Sequence, residues 1–140
     1  MAFGISPVAQ VQTLSADEKK IVDVVDRNSA DAIAMLRTVV DIESPTEDLT
    51  GVRKVGAVFL KEFEALGMTV RWIDMPAEAK RAGHLLAETK GSKGKKLLIL
   101  GHLDTVLKGE RFRRDGNTVY GTGIGDMKGG NVILFQALKA

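Results

Sequence analysis

The run Leu97-Leu98-Ile99-Leu100 constrains this chain more than any other stretch. Four consecutive apolar residues without polar alternation, set between Lys95-Lys96 and Gly101, form the pattern of a short strand covered on both faces. Such a strand belongs at the centre of a layered α/β sheet. The chain then continues as Gly101-His102-Leu103-Asp104-Thr105-Val106. Alternate residues of an extended segment point the same way, so His102 and Asp104 are expected to project together from the carboxyl end of the strand. In open α/β sheets, ligands bind at that end.

The remaining elements fit the same class. Ser15 with Glu18 three residues on has the form of a capping box. Ile21, Val24, Val25 and then Ile33, Leu36, Val39 and Val40 recur at helical spacing, interrupted at Asn28-Ser29, where a second helix restarts with Asp31 in its first turn. Pro45 ends that helix. A third helix carries Val52, Val55, Val58, Phe59, Phe63 and Leu66, with Gly67 where a left-handed C-cap belongs. Strands are expected over 68–73 and 84–88, and a hairpin over 112–120 with Asp115-Gly116 at its turn. A glycine-rich loop over 121–130 leads into an apolar helix over 131–140. Residues 1–14 read as a disordered tail. The fold class is α/β: a mixed, largely parallel sheet with helices on both faces. The last helix carries Val132, Ile133, Leu134, Phe135, Ala137 and Leu138, an apolar surface nearly all round. Such a helix is expected to be covered on every side, which makes residues 15–140 the N-terminal part of something larger.

Composition narrows the chemistry. Twenty Lys+Arg against 18 Asp+Glu give a formal charge of +2, which supports neither a nucleic-acid nor a polybasic membrane partner. There are no cysteines, so disulfides, iron–sulfur clusters, thiol nucleophiles and thiolate zinc sites are all excluded. The two histidines are His84 and His102, so any metal site leans on carboxylates. No apolar run approaches the roughly 20 residues that span a bilayer. The first eleven residues make a poor signal peptide, yet Ser6-Pro7-Val8-Ala9-Gln10 resembles the end of a leader. Cytoplasm and an exported compartment are about equally expected.

Three readings of His102 and Asp104 stand. An imidazole can hold a divalent metal through one nitrogen while a carboxylate takes the N–H of the other. The same pair can form two thirds of a nucleophilic triad, but no G-x-S-x-G is present, and Ser44 and Ser92 lie in plain turn contexts. The pair can also do no more than cap a strand and start a turn. The segment Gly121-Thr122-Gly123-Ile124-Gly125-Asp126-Met127-Lys128-Gly129-Gly130 invites a phosphate-loop reading. The dinucleotide fingerprint fails in both registers, with Asp126 or Lys128 at the third glycine's place, and the Gly-Lys-Ser/Thr of a P-loop is missing. Two alternatives remain. The glycines present the Asp126 carboxylate to cations, even bridging two metals about 3.5–4 Å apart, or they only let the next helix pack tightly.

Taken together, Gly101-His102-Leu103-Asp104-Thr105-Val106, a hairpin, and Tyr120 through Asn131 before an apolar helix resemble the two-zinc metallopeptidases. That family includes glutamate carboxypeptidase, aminoacylase, acetylornithine deacetylase and succinyl-diaminopimelate desuccinylase. The resemblance covers roughly residues 30–140, including Asp41-Ile42-Glu43-Ser44-Pro45-Thr46 and Leu66-Gly67-Met68. Val106-Leu107-Lys108-Gly109 and Phe112-Arg113 lean toward the glutamate-carboxypeptidase branch.

The resemblance implies a zinc-exopeptidase-like fold and two zinc ions per complete site, with cobalt or manganese as alternatives. It makes His102 a terminal ligand to one zinc, Asp104 the catalytic-site carboxylate behind its ring, and Asp126 the bridge between both. It also implies a cis peptide after Asp126. The implied reaction is hydrolysis of amide bonds in peptides or N-acyl amino acids, by a homodimeric parent. The family's catalytic glutamate, its neighbouring ligand glutamate, further ligands and the dimerisation domain lie beyond the last motif. The expectation is therefore an N-terminal fragment inactive alone, because a catalytic zinc generally wants three protein ligands plus water. The alternatives are a non-catalytic metal-binding or interaction module and a deacylase of amino-acid biosynthesis.

Other features read plainly. His84 is expected at a strand edge or packed within it, with metal binding a minor alternative. Lys90, Lys93, Lys95 and Lys96 form a solvated turn, with anion binding again the minor reading. Arg111, Arg113 and Arg114 decorate a hairpin, unless they meet a substrate carboxylate. Trp72 packs on a sheet.

Overall fold

A computed structural model of the chain describes residues 13–140. The tail expected over 1–14 thus falls almost wholly outside the described residues. Ser15 opens helix α1 (Ala16–Arg27): its hydroxyl accepts from the Glu18 amide while the Glu18 carboxylate accepts from the Ser15 amide, the expected capping box. Helix α2 (Ser29–Val40) follows after the single residue Asn28. Asn28 is the N-cap position of α2, where the second helix is expected to restart, but its side chain makes no capping bond there. Its side-chain amide turns back and donates to the Val24 carbonyl at 2.9 Å, closing α1 instead.

Helix α3 (Leu49–Ala65) begins at Asp48, whose side chain accepts from the Gly51 amide, and ends at Gly67 in the left-handed region. There the Gly67 amide bonds the Glu64 carbonyl and the Met68 amide bonds the Phe63 carbonyl, a paired closure that a left-handed glycine permits. Strands β1 (Thr69–Ile73) and β2 (His84–Glu88) then pair antiparallel, with Ile73 opposite His84. Trp72 lies against Gly56 of α3, where a Cβ would stand 2.4 Å from the ring, and its indole N–H donates to the Ala82 carbonyl. The sheet-packing role expected of Trp72 is thus observed.

Strands β3 (Arg113–Asp115) and β4 (Thr118–Tyr120) form the expected hairpin. Asp115 pairs with Thr118, so its two-residue loop is Gly116-Asn117, one step later than expected. The positive φ that such a loop needs falls on Gly116. Helix α4 (Gly129–Lys139) closes the described chain.

The core is one cluster: Leu36, Val39 and Val40 of α2, Val55 and Phe59 of α3, and Val132 of α4. Each such side chain, fully buried, contributes roughly 1.5–3 kcal/mol. Phe63 of α3 meets Phe135 of α4 edge-on, with centroids 5.7 Å apart. No described helix is long and apolar enough to cross a membrane.

The architecture is mixed helix and strand, as expected at the coarse level. Two finer expectations are corrected. Among the described residues the 97–100 run is not a buried central strand. It pairs with no strand among the described residues, and Leu97, Leu98, Ile99 and Leu100 are 84%, 79%, 50% and 79% exposed. A run this apolar is buried only where strands flank it and layers cover both faces, and none of the described elements does so. Helix α4 is likewise covered on one side only: Val132 and Phe135 are buried, but Ile133 is 72% exposed.

One parallel contact is present. Pro45 forms a parallel bridge with Thr105, joining the turn after α2 to the segment that carries His102 and Asp104. The Thr105 amide donates to the Ser44 carbonyl at 2.8 Å, and the Thr46 amide donates to the Thr105 carbonyl at 3.1 Å.

Candidate functional site

In the segment 101–105, His102 and Asp104 come together on one side, as expected. His102 Nδ1 lies 3.0 Å from the Asp104 backbone carbonyl and 3.3 Å from its Oδ1. The ring nitrogen therefore has two acceptors in one residue, and the carbonyl is the nearer. The other ring nitrogen, Nε2, lies 2.8 Å from Asp126 Oδ1. Two loops 24 residues apart in sequence thus converge on one imidazole.

Local chemistry explains how each is held. His102 is pinned through its backbone: its carbonyl accepts from the Asn131 side-chain amide at 2.7 Å, and its amide donates to Met127 Sδ at 3.4 Å. Asn131 is buried in α4, so the helix fixes the strand end. Gly101 makes this approach feasible, because a Cβ there would lie 2.5 Å from Asn131 Oδ1. Asp126 sits at a kink in the segment 124–128, with extended backbone at φ −143° and ψ 94°. The Asp126–Met127 peptide is cis, as the resemblance implies. Before it, Gly123 adopts φ 81°, and a Cβ there would stand 2.6 Å from Thr105 Cγ2.

Two hydroxyl residues and one lysine complete the scaffold. Ser44 is fully buried and donates to the Leu103 carbonyl at 3.1 Å, so its context is far from a plain turn. Thr46 Oγ1 donates to Asp104 Oδ2 at 2.6 Å. Lys128 is 1% exposed and donates from Nζ to the Ile42 carbonyl at 2.7 Å. Neither Thr46, Lys128 nor Asn131 stood out in the sequence. The signal present was only that Thr46 follows Ser44-Pro45 and that Lys128 and Asn131 flank the glycine pair.

Charges follow from these contacts. Partial burial opposes a proton on His102, but the hydrogen bond to Asp126, the Asp104 carbonyl and the two carboxylate charges outweigh it and raise its pKa. Partial burial pushes the Asp104 carboxyl up, but the Thr46 hydroxyl, its own backbone amide and His102 outweigh that and lower it. Burial lowers Lys128, partly offset by the charge of Glu43.

His84 takes no part in this cluster. It opens β2, exposed, as a strand-edge residue. The lysines at 90, 93, 95 and 96 are exposed, and Arg113 stacks over the Tyr120 ring at 4.0 Å while Arg114 bonds the Gly116 carbonyl, both as hairpin decoration.

The donor chemistry suits a divalent metal in part. With Nδ1 occupied as a donor, Nε2 can offer its lone pair. The facing Asp126 carboxylate is 78% exposed and open to a cation. These are two donors, and among the described residues no group of three or more His, Asp or Glu side chains is arranged to hold an ion. The site fits as part of a metal centre.

The chain is 38% identical over 117 residues to carboxypeptidase G2 of Pseudomonas sp. (strain RS-16), covering 76% of this chain and 27% of that protein. It is 32% identical over 110 residues to a Pyrococcus furiosus protein named as a LysW-lysine/LysW-ornithine hydrolase, covering 79% of this chain and 30% of that protein. The chain belongs to the metallopeptidase family of carboxypeptidase G2. Both of these family members carry hydrolase names, and the chain spans less than a third of either. No family model matches the chain.

Proposed function

We propose that this chain carries part of the zinc centre of an amide-bond hydrolase acting on peptides or N-acyl amino acids. The observation that carries the reading is the 2.8 Å approach of His102 Nε2 to Asp126 Oδ1, with Nδ1 of the same ring held from behind by Asp104. Family membership supports it.

In this reading His102 gives one metal its Nε2 lone pair, and Asp126 offers two carboxylate oxygens, enough to touch two ions. Asp104 holds the Nδ1 proton, fixing the tautomer and the ring's direction. Zinc bound there supplies Lewis acidity toward an amide carbonyl and lowers the pKa of a water. Two protein donors fall short of the three a catalytic zinc generally takes, so further donors and the general base come from outside these residues. The 97–100 run is then a strand of a largely parallel, zinc-exopeptidase-like sheet, with its neighbours also outside. A carboxypeptidase-type substrate is favoured over a lysine- or ornithine-releasing one by the higher identity to carboxypeptidase G2.

The test is zinc binding by equilibrium dialysis for the 140-residue chain, His102→Ala and Asp126→Ala. Binding by the parent chain and its loss in both variants is expected. Equal binding in all three would overturn the reading. The 140-residue chain alone should not hydrolyse an N-acyl-amino-acid panel. Zinc-dependent turnover abolished by Asp126→Ala would refute that inactivity.

A further inference from the structure

The turn after α2 touches both loops that supply the candidate donors. On one side Lys128, two residues beyond Asp126, donates to the Ile42 carbonyl at 2.7 Å. On the other, residues 44–46 run beside 103–105, held by the Ser44 hydroxyl on the Leu103 carbonyl and by the two backbone bonds around Thr105. Thr46 is therefore placed by its backbone before its side chain acts. Its hydroxyl reaches 58 residues along the sequence to Asp104 Oδ2 at 2.6 Å, closer than the 3.5 Å to the Thr105 carbonyl. The second oxygen of the same carboxylate, Oδ1, faces His102 Nδ1 at 3.3 Å, beside the Asp104 backbone carbonyl at 3.0 Å.

We propose that Thr46 is a positioning residue for the metal centre, fixing the rotation of the Asp104 carboxylate, which shares His102 Nδ1 with the Asp104 backbone carbonyl and so helps aim the imidazole. The inference rests on the metal-site reading above. A carboxylate free to swing about its Cβ–Cγ bond would leave Nδ1 with the backbone carbonyl as its one fixed acceptor. A short hydroxyl bond at Oδ2 removes that freedom. Groups that support a metal ligand from behind typically change affinity 10–100-fold when lost. Thr46 stands one contact further out, so the low end of that range applies.

The experiment compares Thr46→Val, which removes the hydroxyl at nearly constant volume, with Thr46→Ser, which keeps it. Thr46→Ala is a second hydroxyl-free variant should the valine not fold. The first readout needs no metal. In an Asp126→Ala background, 15N spectra of the neutral His102 ring report the share of the Nδ1–H form. That share should fall in Thr46→Val and return in Thr46→Ser. The second readout is cobalt affinity by absorption, in chains that retain Asp126. It should weaken about tenfold in Thr46→Val and recover in Thr46→Ser. Unchanged tautomer populations in Thr46→Val would overturn the role of Thr46, whatever cobalt does. Failure of the unsubstituted chain to bind cobalt would overturn the metal-site reading, while the tautomer readout still decides whether Thr46 sets the ring.

Discussion

Asp126 Oδ1 lies 2.8 Å from Nε2 of His102, the ring atom a divalent ion would take. Without metal that contact is an ion pair whenever His102 is protonated, and it helps raise the histidine pKa above the ordinary 6.5. A group with a raised native pKa adds stability that is full below its unfolded pKa and lost as pH rises through its native one. The metal-free chain should therefore exceed Asp126→Ala in stability near pH 5–6, with the difference closing at alkaline pH. Urea denaturation of both proteins across pH checks this. The pair is well exposed, so the difference should be small.

Lys128 makes a different kind of contribution. Its ammonium is buried and satisfies the Ile42 carbonyl. Lys128→Met keeps much of the volume but leaves that carbonyl without its donor, at a cost of about 1–3 kcal/mol. Lys128→Ala adds a cavity and should cost more. Urea midpoints for the two variants should fall in that order.

Gly101 marks the closest approach between the segment bearing His102 and α4. A Cβ there would stand 2.5 Å from Asn131 Oδ1, an atom of the side chain that holds the His102 carbonyl. Gly101→Ala should destabilise the chain by about 1–3 kcal/mol through overpacking. Asn131→Ala should lower stability by leaving the same carbonyl unpaired, and the double variant should cost less than the sum.

The 97–100 run exposes four large apolar side chains on an unpaired extended segment. Such an edge is a template for association with other chains. The 140-residue chain should self-associate in sedimentation experiments, and Leu98→Lys should reduce the associated fraction without altering the circular dichroism spectrum.

Much of this molecule was legible because local chemistry dictated it. Ser15 with Glu18 placed the start of α1, Gly67 the end of α3, and the alternation after Gly101 the shared direction of His102 and Asp104. The 97–100 run misled because its apolarity records the neighbours such a strand needs, whereas burial depends on whether those neighbours are in place. Thr46, Lys128 and Asn131 escaped because their partners, Asp104, Ile42 and His102, lie 58, 86 and 29 residues away, and no periodicity encodes a side-chain contact at that range. Asn28 shows the same limit at close quarters, since a good cap residue had two helix ends to choose from and took the earlier one.

With two histidines in the chain, one NMR experiment decides whether the His102 ring holds metal. Zinc is titrated into the 140-residue protein while the ring nitrogens of both are followed. Nε2 of His102 should shift on coordination, His84 should stay fixed, and the response should vanish in Asp126→Ala. A ring of His102 that ignores zinc, or one that responds no differently from His84, would contradict the metal-site reading.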